Sequence, residues 1–274
     1  MDIKAFKMDG LGNDFVIIDQ RSQNYNLTKD QIIKICDRNF IGCDQLIFIQ
    51  KSEEKDAGLE FYNSDGSISG ACGNGTRCVA DLLSKENNDK KIILWTTSGA
   101  LKSQILGNNS VETEIGIAKT NWNEIPLNKN LDTKNLNIKI VNKNNIEHIG
   151  GTSVNVGNPH VIFFVDNIED YDLKKIGPEI ENHNYFPEKC NVTLAKVISK
   201  KLIKVKVWER GAGLTKACGT AACATAVAAN INGLTDNKTE IEFALGNLSI
   251  TIDQNNSIHM KGPVSDITNI EINI

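Results

Sequence analysis

A short cysteine motif occurs twice in this chain of 274 residues. Ala71-Cys72-Gly73-Asn74-Gly75-Thr76 in the first half is matched by Ala217-Cys218-Gly219-Thr220-Ala221-Ala222 in the second, and the two cysteines lie 146 positions apart. Self-similarity at a fixed offset is the sequence signature of a repeated structural unit. The motif therefore predicts two copies of one fold that face each other, with a cysteine on each wall of one cleft.

Polar residues outside the motif keep the same offset. Gln45 corresponds to Asn191 and Asn63 to Glu209, while Gly12-Asn13-Asp14-Phe15 corresponds, one residue out of register, to Gly157-Asn158-Pro159-His160. These residue types are common in turns and binding clefts rather than in cores. Their spacing supports a true internal repeat.

The segments that follow the two cysteines are unusually apolar. The first contains Cys78-Val79-Ala80 and Leu82-Leu83, and the second contains six alanines and Val227. A helix without a polar face is a buried helix. We therefore predict an α+β protein in which each half is a rolled antiparallel, barrel-like sheet wrapped around a central helix that begins at the cysteine.

Other elements have clear local signals. Phe15–Ile18 and Val161–Val165 read as strands. Thr28 and Gln31 form a capping-box pattern before an amphipathic helix. A weaker helix follows Asp172, and Gly177-Pro178 predicts that this helix is short or that the proline lies in its first turn.

The repeat also suggests domain limits. We assign residues 1–118 to the first half, completed by 265–274, and residues 119–264 to the second. The Asn- and Lys-rich segment that begins at 119 lacks periodicity until Leu136–Ile140, so its first part is interpreted as a linker and its second part as an added strand.

Composition narrows the function. Lys and Arg total 30 against 34 Asp and Glu, and the net charge of -4 argues against nucleic acid as a partner. No secretory leader or membrane-length apolar run is visible, and seven irregularly spaced cysteines suit a reduced, cytoplasmic compartment. No zinc-type cysteine spacing occurs, so no metal site is expected.

Two thiols at helix N-termini suggest a specific chemistry. A helix N-terminus offers unpaired N–H groups and a partial positive charge, which favour a thiolate and can bind a carboxylate. If a carbon atom lies between Cys72 and Cys218, one thiolate can remove a proton from one face while the other thiol protonates the opposite face. A symmetric pair therefore suits a racemase or epimerase.

Taken together, the motifs resemble those of the diaminopimelate epimerases, and the resemblance spans essentially the whole chain. The matching pieces are Gly10–Phe15, Asp44-Gln45, Asn63 with Asp65–Ser67, Cys72–Gly75 with Arg77-Cys78, Gly157–His160, Asn191, Glu209–Gly213 with Thr215, and Ala217–Thr220. Departures are few: Asp9 stands where histidine is frequent in the family, and Thr220 where serine is frequent.

The resemblance implies interconversion of LL- and meso-diaminopimelate without pyridoxal phosphate or another cofactor, by a homodimer. It makes Cys72 the proton donor and Cys218 the acceptor in the LL-to-meso direction. It implies three further groups of residues. Gly73, Asn74, Gly219 and Thr220 would hold the α-carboxylate; Asn63, Asn158, Asn191 and Arg210 the distal carboxylate, with Glu209 holding an ammonium group; Asn13 and Gln45 would be further substrate contacts.

Alternatives remain open from the residues alone. A racemase of the proline racemase type also uses two facing cysteines but should lack the Asn191 and Arg210 clamp. A thiol redox protein would cycle Cys72 and Cys218 through a disulfide, and a binding module would need neither thiol. His160 is equally well explained as an auxiliary site residue or as a structural one.

Overall fold

The computed structural model describes residues 2–70, 72–97 and 99–274. It divides into two compact units, the first comprising the chain up to Glu114 with Lys261–Ile274 and the second Ile115–Met260. Nineteen strands and four α-helices are seen in these described ranges. Those in the first half of the chain are β1 Asp2–Asp9, β2 Asp14–Asp19, α1 Lys29–Cys36, β3 Gln45–Gln50, β4 Ala57–Asn63, β5 Ile68–Ser69, α2 Gly73–Asn87, β6 Lys91–Thr96, β7 Gly99–Gly107 and β8 Ser110–Ile117.

The second half continues the series, with one short 3₁₀ helix at Ile168–Asp170. Its elements are β9 Ile138–Val141, β10 Glu147–Gly150, β11 Thr152–Asn155, β12 Pro159–Phe164, α3 Leu173–Glu181, β13 Asn191–Ser199, β14 Leu202–Glu209, β15 Gly213–Thr215, α4 Gly219–Ile231, β16 Lys238–Phe243, β17 Gly246–Ile252, β18 Ser257–Pro263 and β19 Thr268–Asn273.

The two units pair their strands in the same succession. In the first, β1 and β2 are antiparallel, β2 and β3 parallel, β3 and β4 antiparallel, and β4 then pairs with both β5 and β6. In the second, β11 to β16 repeat this order of pairings. The predicted duplication of one fold is confirmed.

The main strands of each unit include parallel as well as antiparallel pairs, so the prediction of a purely antiparallel sheet is corrected in this detail. The parallel pairs are β2 with β3 and β4 with β6, matched by β12 with β13 and β14 with β16. Parallel neighbours need a crossover. Helices α1 and α2 lie in the crossovers of the first unit, and α3 and α4 in those of the second.

Helix α2 lies in the core of the first unit. Its Val79 and Leu83 are fully buried and belong to one cluster with Phe15, Ile17 and Phe61 of the sheet. Val16 and Ile18 belong to the opposite cluster, with Ile32 and Ile35 of α1. Because both faces of the sheet are covered, β2 is a continuous apolar run rather than an alternating one.

Helix α4 is the equivalent in the second unit, where residues 221–229 are all buried. Alanines allow close approach of the helix to the surrounding strands. Ile176 and Ile180 of α3 pack with Phe163 and Leu194. The prediction of a buried central helix in each half is confirmed.

The sequence also made predictions about the two outer helices, α1 and α3. Thr28 caps α1 and completes a capping box with Gln31, as predicted. Of the two outcomes predicted for Gly177-Pro178, the structure shows the short helix: α3 has nine residues and ends at Glu181, with the proline in its second turn rather than its first. A mid-helix proline forgoes one backbone hydrogen bond, and the burial of Ile176 and Ile180 offsets that loss.

The segment before β9 is not the loose linker that its composition suggested. Ile125, Leu127 and Leu136 are buried in the same cluster as Phe163. Asn128 donates to the backbone carbonyl of Asn184 at 2.6 Å. Few apolar residues anchor the segment, so no periodicity revealed its packing; the expected added strand is present as β9, paired with β10.

Gly75 gives a test of how tightly α2 fits. A Cβ at this position would lie 2.7 Å from Ile47 Cδ1 and 3.1 Å from Phe61 Cε1. We expect Gly75→Ala to lower the free energy of unfolding by about 1–3 kcal/mol through overpacking. Gly58→Ala is the matched control, because its nearest contact would be an ordinary 3.4 Å. Urea denaturation of both variants checks this; equal stabilities would contradict it.

Candidate active site

Cys72 is the N-cap of α2. Its backbone is extended, with φ -141° and ψ 109°, and its side chain does not cap the helix. The half-buried thiol lies 3.6 Å from Asn13 Oδ1, and Asn74 Nδ2 lies 3.4 Å from the same oxygen. The fully buried Arg77 donates to Asn74 Oδ1 at 3.1 Å. The first helical turn and the Asn13 loop thus meet around one thiol.

Two of the predicted binding residues lie side by side on the sheet. Gln45 begins β3 and Asn63 ends β4, and the register pairs them directly. Gln45 Nε2 donates to Asn63 Oδ1 at 2.9 Å, and Asn63 Nδ2 donates to Ser67 Oγ at 3.0 Å. Since Phe15 pairs with Gln45 in the parallel direction, Asn13 precedes the neighbouring strand at the same edge.

Charged residues hold the Asn13 loop. Arg38 binds both carboxylate oxygens of Asp14, at 2.7 and 2.8 Å, and Asp44 at 2.6 Å. Asp44 accepts from Asn13 Nδ2 at 3.1 Å. Burial raises the pKa of Asp14, but the hydrogen bonds and charge of Arg38 outweigh it and hold this pKa below its usual value. Arg38 was not among the predicted site residues, because only the folded register brings it here.

Cys218 occupies the equivalent place in the second unit. It is the N-cap of α4 with φ -143° and ψ 116°, close to the values at Cys72. Its sulfur accepts from the Ala221 N–H at 3.4 Å and lies 3.4 Å from Thr220 Oγ1. Gly219 is buried beside it. Only 6% of Cys218 is exposed.

The surroundings of Cys218 favour the neutral thiol. Burial raises its pKa well above the usual value and the Glu209 carboxylate raises it further, while hydrogen bonds from Thr220 and Ala221 oppose the rise. The sequence led us to expect a thiolate at this helix N-terminus. Burial and the nearby Glu209 carboxylate oppose that expectation, because both disfavour the charged form of the thiol.

Three predicted polar residues form a cluster at the ends of β12 and β13. His160 and Asn191 are directly paired in the sheet. The His160 ring, fully buried, lies with Nε2 2.9 Å from Asn158 Oδ1. Asn191 Nδ2 donates to Pro159 O at 3.0 Å, and Asn191 Oδ1 accepts from the Arg210 N–H at 2.9 Å.

Glu209 and Arg210 lie at the end of β14 and just beyond it. Arg210 is exposed, and its Nη1 donates to Glu188 O at 2.7 Å. Since Val192 pairs with Trp208, the adjacent positions bring Glu209 to the Asn191 edge. The Glu181 side chain, on α3, also contacts the segment around Glu209 and Arg210, through Trp208 and Gly211. No sequence signal marked it, because its partners lie 27 and 30 residues away.

The predicted site residues therefore form one group in each unit. In the first, Cys72 and Asn74 both contact Asn13, Gln45 and Asn63 lie on adjacent strands, and Gly73 begins the helix. In the second, Asn158, His160, Asn191 and Arg210 are linked to one another, and Glu209 acts on Cys218.

Comparison with known proteins agrees with this geometry. The sequence profile of the diaminopimelate epimerase family matches residues 5–120 and again residues 152–267. The chain belongs to this family. It is 76% identical, over the full length of both chains, to the diaminopimelate epimerase of Pelagibacter ubique strain HTCC1062. It is 40% identical to that of Acidiphilium cryptum strain JF-5, covering 94% of this chain and 92% of the relative.

A solved structure shows the same fold at low identity. The predicted epimerase of Pseudomonas aeruginosa superposes with a TM-score of 0.70 at 15% identity, covering 98% of this chain and 99% of that one. In this member of the diaminopimelate epimerase family, no group of three or more potential metal ligands occurs within residues 2–70, 72–97 and 99–274. Among those same residues, no helix is long and apolar enough to span a membrane.

The burial of His160 should make the free energy of unfolding depend on pH in the acid range. Burial and the charge of Arg210 lower its pKa to about 3, against 6.5 for an ordinary histidine. The unfolded chain binds a proton below pH 6.5 while the folded one does not. We therefore expect stability to fall between pH 6.5 and 3, by up to about 1.4 kcal/mol per pH unit from this residue.

Urea unfolding of wild type and His160→Gln across this range checks the expectation. The variant should lose part of the acid-side slope. Equal slopes for wild type and His160→Gln would refute the assignment.

Proposed function

We propose that this protein is an isomerase that interconverts LL- and meso-2,6-diaminopimelate in lysine and peptidoglycan-precursor biosynthesis. The observation that carries the proposal is the equivalence of the two thiols. Each caps a buried helix with nearly the same extended backbone, φ -141° and -143°. The family profile matches the chain twice, once around each of them. A proline racemase or a binding module has no comparable support in the sequence.

The proposed chemistry is a two-base inversion. A thiolate removes the α-proton, so that the Cα–H bond breaks and an S–H bond forms. The other thiol then delivers its proton to the opposite face of the carbanion. In the LL-to-meso direction Cys218 is the acceptor and Cys72 the donor. The reverse reaction needs only the opposite protonation states, which suits two thiols on equivalent scaffolds.

Backbone dipoles would stabilise the carbanion. The α-carboxylate becomes more negative as the proton leaves, and the first turns of α2 and α4 provide N–H groups that have no partner within the helix. We assign this role to Gly73, Asn74, Gly219 and Thr220. No pyridoxal phosphate is required in this scheme, because preorganised donors replace an electron sink.

The second amino-acid centre of the substrate would be recognised by the polar edge residues. Arg210 can hold a carboxylate with a fork of donors, assisted by Asn63, Asn158 and Asn191. Asn13 and Gln45 would complete the contacts. His160, neutral and buried beside Asn158, is better placed to orient that amide than to exchange protons.

Substrate binding would also activate Cys218. Burial and the carboxylate of Glu209 both raise the pKa of this thiol. An ammonium group held by Glu209 would neutralise that charge and lower the pKa again. Thiolate formation would then be coupled to the arrival of the correct substrate. We further propose that the enzyme is a cytoplasmic homodimer and that it binds neither nucleic acid nor membrane.

Proton exchange in D2O tests the reaction. Reduced protein incubated with LL-diaminopimelate should lose the α-proton NMR signal and form the meso isomer. Cys72→Ala and Cys218→Ala should each lower the rate of inversion at least about 10²–10⁴-fold, the usual contribution of an acid or base.

Cys223→Ala is the matched control, since this cysteine is buried in α4 at the fifth position after Cys218. It should retain inversion. Inversion retained in Cys72→Ala or in Cys218→Ala would rule out the two-base mechanism. Proton exchange with proline but not with diaminopimelate would rule out the proposed substrate.

A further inference from the structure

The Glu209-Arg210 turn is held at both ends by one carboxylate. Glu181 Oε2 accepts from the indole Nε1 of Trp208 at 2.7 Å, and its Oε1 accepts from the Gly211 N–H at 3.1 Å. Glu181 is only 6% exposed. Two charge-assisted hydrogen bonds in a buried setting are strong and directional. They fix the residues immediately before and after the two proposed to hold substrate.

The packing of Trp208 makes this clamp rigid. The indole lies directly against Gly177 of α3, where a Cβ would fall 2.4 Å from Trp208 Cδ2. The ring is thus confined by the helix backbone on one side and by the carboxylate at its edge. Helix α3 therefore controls the position of the turn through two separate contacts.

We propose that Glu181 is a positioning residue for substrate recognition, which it serves by setting the Glu209-Arg210 turn. The expected change in kinetics rests on the proposed function. The expected change in the rigidity of the turn does not. Glutamine at this position keeps the shape and can satisfy only one of the two donors. Its amide N–H groups then face the other donor, so one end of the turn is released.

Two measurements on Glu181→Gln test this role. Amide hydrogen exchange of the peptide covering residues 209–213 should become faster by about tenfold. The KM for diaminopimelate should rise about tenfold through the loosened Arg210 contact, and kcat should fall by a smaller factor, because Glu209 in the same turn also acts on the Cys218 thiol. Trp208→Phe should give a smaller effect that is not additive with Glu181→Gln.

Glu179→Gln provides the control, since Glu179 is exposed on the same helix. It should match wild type in both measurements. Unchanged exchange and unchanged KM in Glu181→Gln would overturn the proposal. Faster exchange of the turn in a protein that never inverts diaminopimelate would instead refute the proposed function and leave the positioning role intact.

A second observation concerns two further cysteines, Cys36 at the end of α1 and Cys43 just before β3. Cys43 Sγ lies 3.5 Å from Cys36 Sγ, and the Cys43 N–H donates to Cys36 O at 3.2 Å, so their backbones are adjacent. Both line a surface cavity of about 360 Å³ together with Arg38 and Asp44. Both thiols are 1–3% exposed, so a reagent in this cavity reaches them only when the loop around Arg38 opens locally.

This pair is connected to Cys72 by three contacts. Asp44 follows Cys43 in the chain and is bound by Arg38, which lies in the loop between the two cysteines. Asp44 accepts from Asn13, and Asn13 Oδ1 is 3.6 Å from the Cys72 thiol. Contraction of the sulfur separation from 3.5 Å to a bonded 2.05 Å or so would displace residue 43 and thus its neighbour.

The geometry points to Cys36 and Cys43 as an oxidisable dithiol that alters the Asn13 loop. A small-molecule disulfide such as oxidised glutathione is the oxidant. One protein thiolate attacks it and releases one glutathione thiolate. The second protein thiol loses its proton and attacks the mixed disulfide, releasing the second glutathione. Two protein thiols are oxidised and one glutathione disulfide is reduced to two thiols.

Peptide mapping tests this in a Cys72→Ala/Cys218→Ala chain, which removes competing oxidation at the proposed catalytic thiols. After treatment with oxidised glutathione, we expect a Cys36–Cys43 cross-link and exchange of the amides of residues 12–15 changed at least about threefold. Adding Cys43→Ala should abolish both effects. Absence of the cross-link in the folded chain, or a cross-link with unchanged exchange, would overturn the inference.

Discussion

A thiol fixed at the first turn of a buried helix is the arrangement on which the rest of each unit depends. The helix must be apolar on all sides because the sheet surrounds it. Its first turn must carry small side chains because the strands approach it closely. At Gly75 even one methyl group would meet three side chains. The cysteine precedes this narrow first turn as an N-cap with an extended backbone. Reactivity and packing therefore meet at one residue.

The same scaffold gives its two thiols different electrostatic settings. Cys72 contacts an amide oxygen, which is neutral, whereas Cys218 is influenced by the carboxylate of Glu209. In the repeat, Asn63 corresponds to Glu209, so an amide in the first unit is replaced by an acid in the second. Backbone geometry is shared because inversion treats both faces of a carbon alike. On the proposed function, the difference in charge serves to distinguish the end of the substrate that is inverted from the end that is only recognised.

The sequence predicted local features well and long-range features poorly. The capping box at Thr28 and the buried helices after the cysteines depend on neighbouring residues, and both were foreseen. The parallel strand pairs were not, since an apolar run looks the same in either direction. The packing of the segment around Ile125 was not predicted either, because tertiary burial compensates for an unfavourable local pattern. The catalytic and binding roles remain predictions, although their residues cluster within each unit.

The supporting residues show why a motif search stops short of a site. Arg38 and Glu181 carry no repeat partner and no motif, yet each holds a loop that bears predicted substrate contacts. Both act by gripping two separated groups at once: Arg38 joins Asp14 to Asp44, and Glu181 joins Trp208 to Gly211. A bidentate charged group suits this task because it fixes distance as well as direction. The positions of the proposed substrate contacts therefore depend on residues that are not themselves among those contacts. The first unit uses a cation, Arg38, to hold its loop, and the second uses an anion, Glu181.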